Sequence, residues 1–164
     1  MIRSVFPALL QLRRQREQAA HSALANRRRQ MNDARSALDE ARAEFERHLI
    51  NCREREDTFR RKVTGKRIRS LTMELFRLDL ESMAVRTELL ENRVDNRKAS
   101  VDQAEQALRE AIAAWQRCRR DLERIEQLSA RERQAQRRAQ ERLAEDRLEE
   151  LSAMTARPVG EQIS

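Results

Sequence analysis

The sequence predicts an all-α chain: a long antiparallel two-helix coiled-coil hairpin whose C-terminal helix overhangs its partner. Three observations carry that reading. The tracts on either side of residue 65 lack proline and consist mostly of Ala, Leu, Arg, Glu and Gln, all strong helix formers. Apolar residues recur along them every seven positions. Gly65, in Lys62-Val63-Thr64-Gly65-Lys66, is the only glycine between Pro7 and Pro158. A left-handed backbone there ends a helix at low cost. The alternative is one continuous rod that tolerates Gly65.

The composition points the same way. Of 164 residues, 39% are hydrophobic, 38% charged and 3% aromatic, too few bulky apolar groups for an ordinary globular core. Charge of both signs on strong helix formers argues against disorder. The net charge of +7 arises from 35 basic and 28 acidic residues, and only Lys62, Lys66 and Lys98 are lysines. Arginine brings a planar, fork-like donor suited to carboxylates.

The expected boundaries are an N-terminal tail at residues 1–7, a single helical hairpin at 8–155 and a flexible C-terminal tail at 156–164. Within the hairpin, helix one covers about 8–62, the turn 63–66 and helix two about 67–155. Pro7 suits a first helical turn. Helix one places Leu10, Glu17, Leu24, Met31, Leu38, Phe45, Cys52 and Phe59 in one heptad column. The companion column holds Arg13, Ala20, Arg27, Ala34, Ala41, His48 and Arg55, so the seam is thin.

Helix two opens with Ile68, Leu75 and Leu89 alternating with Leu71, Leu78 and Val85. A phase slip is expected near residues 92–96, because the next column is Val94, Val101, Leu108, Trp115 and Leu122. Asn92 and Asn96 would then lie on the seam. Folding at Gly65 sets Leu10 near Arg120 and leaves everything beyond about Arg124 uncovered, an overhang of roughly 30 residues and ~45 Å. The cluster Arg157-Pro158-Val159-Gly160 ends the helix, which frays by Thr155. An apolar-studded helix without a partner helix calls for another protein.

Catalytic chemistry has little support. The two histidines, His21 and His48, accompany no nucleophile or metal-ligand cluster, and Thr64-Gly65-Lys66-Arg67 lacks the first glycine and the Ser/Thr of a phosphate loop. Cys52 and Cys118 fall in seam columns ~60 Å apart along such a hairpin, too far for a disulfide or a shared metal. No catalytic residue, metal or cofactor is expected. Neither a signal peptide nor a membrane span is visible, so cytoplasmic placement without membrane insertion is the expectation.

Basic residues crowd the turn: Arg60, Arg61, Lys62, Lys66, Arg67 and Arg69. An acidic protein surface is the preferred partner, and nucleic acid is disfavoured because no stacking aromatics accompany the cluster. Arg27-Arg28-Arg29 reads as a solvated helix face. Trp115, the one tryptophan, reads as core packing.

The order Trp115, Leu122, Leu128, Leu143, Leu148 and Leu151 resembles the second helix of the flagellar export stalk family (FliJ). Ala8-Leu9-Leu10-Gln11-Leu12 and the segment from Leu71 to Arg86 look more like the injectisome members (YscO, or SctO). The Arg-rich, aromatic-poor segment after the turn departs from the flagellar form.

The resemblance implies the central stalk of a type III protein secretion export apparatus. It would lie at the cytosolic face of the inner membrane through its partners. Those partners are a hexameric secretion ATPase and the cytosolic domain of the export gate, with export chaperones as a further class. Carried onto this chain, Leu9, Leu10, Leu12, Arg13, Arg142, Leu143, Arg147, Leu148 and Leu151 would meet the ATPase. Arg60, Arg61, Lys62, Lys66, Arg67 and Arg69 would face the gate. Such a stalk hydrolyses nothing itself. The competing readings are a homodimeric coiled-coil adaptor paired through the helix-one seam and a basic nucleic-acid-binding rod.

Overall fold

A computed structural model of the chain describes residues 5–156. It is an all-α hairpin of two helices packed against each other, α1 (Phe6–Val63, 58 residues) and α2 (Ser70–Thr155, 86 residues). Residues 1–4 and 157–164 lie outside the described residues, and with them nearly all of the expected C-terminal tail.

The connection between the helices is longer than the expected 63–66. Thr64, Gly65 and Lys66 turn, and residues 67–69 carry no helix before α2 begins at Ser70. The turn closes α1 by local chemistry. The backbone carbonyl of Arg60 accepts from the Thr64 N–H at 3.1 Å and from the Thr64 hydroxyl at 2.6 Å. Lys66 N–H donates to the Val63 carbonyl at 3.2 Å. Gly65 has φ +75°, and a Cβ built there meets nothing within 4 Å. The cost of a side chain at this position is therefore backbone strain alone. Gly65→Ala is expected to lower stability by about 1 kcal/mol, read by urea unfolding. A loss near zero would show that the turn does not require this conformation.

Contacts divide the chain into two compact units. One consists of Ala20–Trp115; the other combines the first helix up to Ala19 with the second from Gln116 onward. Both helices therefore contribute to both units.

In the Ala20–Trp115 unit, α1 buries Leu24, Met31, Leu38 and Ala41 and half-buries Phe45, Cys52 and Phe59. These are residues of the two expected columns. Across from them α2 buries Met83, Leu90 and Val94, with Leu38, Ala41 and Val94 forming one cluster against Phe45 and Val101. Arg55 and Arg27 are the exposed members of the companion column, and Arg55 reaches Asp79 at 2.8 Å.

The early seam of α2 differs from expectation. Phe76, Leu80, Met83, Thr87, Leu90 and Val94 face α1, whereas Ile68, Leu71, Leu75, Leu78, Val85 and Leu89 are exposed. Stepping by seven from Val101 through Val94 and Thr87 to Leu80 meets no phase slip, and Asn92 and Asn96 are exposed. The physical reason is continuity. A stripe that keeps one period along the helix stays against one partner without unwinding the supercoil. A threonine at position 87 is tolerated within it because its hydroxyl donates to the Met83 carbonyl at 2.8 Å.

The longer connection also displaces the apposed residues. A fold-back centred on Gly65 puts Phe59 opposite Leu71; instead it stacks on Phe76, with centroids 3.6 Å apart.

In the other unit, Leu9 and Leu10 are half-buried and Arg13 donates to Asp121 at 3.1 Å. Arg14 pairs with Glu126 at 3.6 Å. Ser129 is the last buried residue, and every residue from 133 to 156 is exposed. The overhang thus begins later than the expected Arg124, in keeping with the displaced pairing.

Candidate partner-binding surfaces

The basic turn is built by the end of α1 and the start of α2. Arg60, Arg61 and Lys62 occupy the last turn of α1, where cations oppose the partial negative charge of the carbonyls. Lys66, Arg67 and Arg69 follow in the connection, and all six are exposed. No ion pair engages any of the six among the described residues. The first turn of α2 contains no acidic residue, so Arg67 and Arg69 face the positive end of a helix without a local countercharge. That arrangement costs a few tenths of a kcal/mol per charge and would be relieved by an external anion. Behind the charges, the Phe59–Phe76 stack is flanked by two open grooves of about 390 and 410 Å³. The second groove is lined by Glu56, Phe59, Arg60, Val63, Phe76 and Leu80, an apolar floor flanked by one anion and one cation.

The uncovered end of α2 is the second surface. Leu143, Leu148, Leu151 and Met154 are 58, 66, 59 and 73% exposed. At 3.6 residues per turn they fall within a face about 140° wide, with Glu145 and Glu149 on the opposite side. Arg142 and Arg147 are exposed as well, and Arg147 projects from within the apolar face. An amphipathic helix of this kind has an apolar face and, among the described residues, nothing against it.

The N-terminal residues assigned to the same contact have mixed positions. Leu12 is 42% exposed, while Leu9 and Leu10 are half-buried. Arg13 is turned into the helix pair: it holds Asp121, and its Nε is buried without a hydrogen-bond partner. Arg13 thus takes part in the helix pair.

No protein-family model, curated protein or solved structure matches this chain.

The remaining polar features of the seam read as packing. His48 Nε2 lies 2.9 Å from the Thr87 hydroxyl and 3.4 Å from the Cys52 sulfur. With the Thr87 hydroxyl donating to Met83, Nε2–H donates to Thr87, and the histidine is satisfied inside the helix pair. His21 meets Trp115 edge to face at 6.1 Å. Among the described residues no group of three or more His, Cys, Asp or Glu could hold a metal, and no helix is long and apolar enough to cross a membrane.

The aliphatic stripe on α2 from Leu71 to Leu89, expected in the seam, is instead an exposed surface. The signal that separates the two stripes is the unbroken period of seven running back from Trp115.

Proposed function

We propose that this chain is the central stalk of a bacterial type III secretion (injectisome) export apparatus, linking a hexameric export ATPase to the export gate and promoting ATPase assembly and activity. The observation that carries the reading is the end of α2: residues 133–156 continue as helix, exposed throughout, with Leu143, Leu148, Leu151 and Met154 on one face. Leaving such a face in water forgoes about 1.5–3 kcal/mol per leucine, which a ring-shaped partner closing around the helix would recover.

The stalk performs no hydrolysis in this reading. It binds some conformations of the ATPase subunits better than others, and that differential affinity shifts the ring's assembly and nucleotide cycle. The basic turn serves the other contact. Its six cations and the apolar groove beside the Phe59–Phe76 stack suit an acidic surface carrying an apolar side chain, a contact that this reading gives to the cytosolic domain of the gate. Export chaperones are a further partner class. The chain would then act in the cytoplasm, at the inner membrane through these partners.

Titrating the chain into its cognate ATPase tests the reading. Stimulation is expected to saturate near one stalk per six ATPase subunits. Absence of both stimulation and co-elution with the assembled ring would leave only an adaptor function.

The turn makes a separate prediction. Arg60→Glu, Arg61→Glu and Lys62→Glu together are expected to weaken gate binding at least about a hundredfold, because each desolvated pair is worth a kcal/mol or more and the reversal adds repulsion. Binding that also weakens with added salt would agree with that origin. Undiminished binding of the triple variant would remove the turn from the gate contact.

A further inference from the structure

We propose that residues 71–96 of α2 form a second coiled-coil seam, through which two copies of this chain pair parallel and in register. The stripe is heptad-spaced. Leu71, Leu78, Val85 and Asn92 form one column, and Leu75, Ser82, Leu89 and Asn96 form the other. It lies on a different face from the intramolecular seam. Its five aliphatic residues are between 49 and 69% exposed, although Met83 and Leu90, in the same turns of helix, are 7 and 1% exposed. An open groove of about 380 Å³ continues the stripe past Leu89, lined by Asn92, Arg93, Asn96, Arg97 and Ser100.

The flanking charges select the occupant. The residues that precede the Leu75 column are Glu74, Glu81, Glu88 and Asp95, all acidic. The residues that follow the Leu71 column are Thr72, Asp79, Arg86 and Arg93. In a parallel pair each acid meets the residue five positions onward in the second copy. Glu81 then faces Arg86 and Glu88 faces Arg93, each twice by the two-fold symmetry. An antiparallel pair would instead set the acidic rim against itself. The surface is thus complementary to its own copy in one orientation and repulsive in the other.

The existing ion pairs agree with this arrangement. Arg86 and Arg93 share one carboxylate of α1, Glu44, at 3.2 and 2.9 Å, so this rim carries one more cation than it neutralises. The single mismatch, Glu74 against Asp79, is cushioned on both sides. Glu74 shares Arg77 with Glu81, each at 2.7 Å, so the acidic rim keeps one more carboxylate than it neutralises, and Asp79 is held by Arg55 at 2.8 Å. Asn96 occupies the position at which a buried asparagine fixes register and favours two strands.

Sedimentation equilibrium of the full chain at tens of micromolar is expected to return twice the 19.4 kDa chain mass. Val85→Asp with Leu89→Asp is expected to return the mass of one chain, with dimer affinity reduced at least about a hundredfold. Circular dichroism should remain unchanged, since both side chains are at least half exposed. In a background of Cys52→Ser and Cys118→Ser, Leu78→Cys and Val85→Cys should each form a disulfide between copies. A parallel, in-register pair brings both positions onto their own counterparts.

A monomer at every concentration would overturn the proposal and assign the stripe to a different protein. A dimer that survives the double substitution would overturn it too, as would cross-linking at only one of the two positions. The inference does not rest on the stalk reading. Its residues lie outside 9–13, 60–69 and 142–151, and ATPase stimulation is not its readout, so the two fail separately.

Discussion

Replacing Leu143, Leu148 and Leu151 together with Asp is expected to abolish stimulation of the export ATPase while leaving the hairpin folded. All three side chains are more than half exposed and follow the last buried residue, so their loss removes no contact with α1. Substitutions at such sites usually change stability by no more than about 0.5 kcal/mol each, although Asp also lowers helix propensity locally. The effect on a partner is of another order. Three leucines buried in an interface contribute about 1.5–3 kcal/mol apiece, and each aspartate would have to be desolvated or neutralised there. Stimulation should vanish at any practical concentration, with the helical signal retained to within a few residues. Unchanged stimulation would sink the assignment of this end to the ATPase. Loss of both stimulation and helicity would instead mean that the overhang is part of the folding unit.

Leu90→Ala is expected to destabilise the hairpin by about 3 kcal/mol, and Leu89→Ala by less than about 0.5 kcal/mol. Two adjacent leucines therefore carry opposite expectations. Leu90 is 1% exposed, the most deeply buried side chain among the described residues, and its truncation removes its packing and leaves a void between the helices. Leu89 is 50% exposed on the outer stripe. Urea unfolding below the concentration at which chains associate separates the two, and a C_m shift without a change in slope identifies lost stability. Equal effects would mean that the early seam of α2 is not the one through Phe76, Leu80, Met83, Thr87 and Leu90. Above the association threshold Leu89→Ala should acquire a concentration-dependent cost, which Leu90→Ala would show only through unfolding.

The candidate partner surfaces were legible in the sequence to different degrees. The basic residues around Gly65 could be read directly, because charge at a turn has nowhere to be buried. The apolar face at Leu143, Leu148 and Leu151 was also readable, as its neighbours in the chain offered no partner helix. Arg13 lies in the companion column of the α1 seam, as the heptad repeat indicates, but its partner Asp121 on the opposing helix is not legible in any local pattern. The stripe from Leu71 to Leu89 was visible as a repeat but assigned to the wrong face.

By itself, the sequence determined what depends on neighbours along the chain. Strong helix formers without interruption made two helices, one left-handed glycine ended the first, and the period of seven in α1 chose the buried face. Tertiary structure alone decided what depends on residues far apart. Helix α2 presents two apolar stripes in residues 71–94, either of which could bury against a partner. The choice fell to the stripe in phase with Val101, Leu108 and Trp115, because only that one keeps α1 in contact along its length without a break in the supercoil. The three residues between Lys66 and Ser70 then shift the pairing within the Ala20–Trp115 unit, where Phe59 stacks on Phe76.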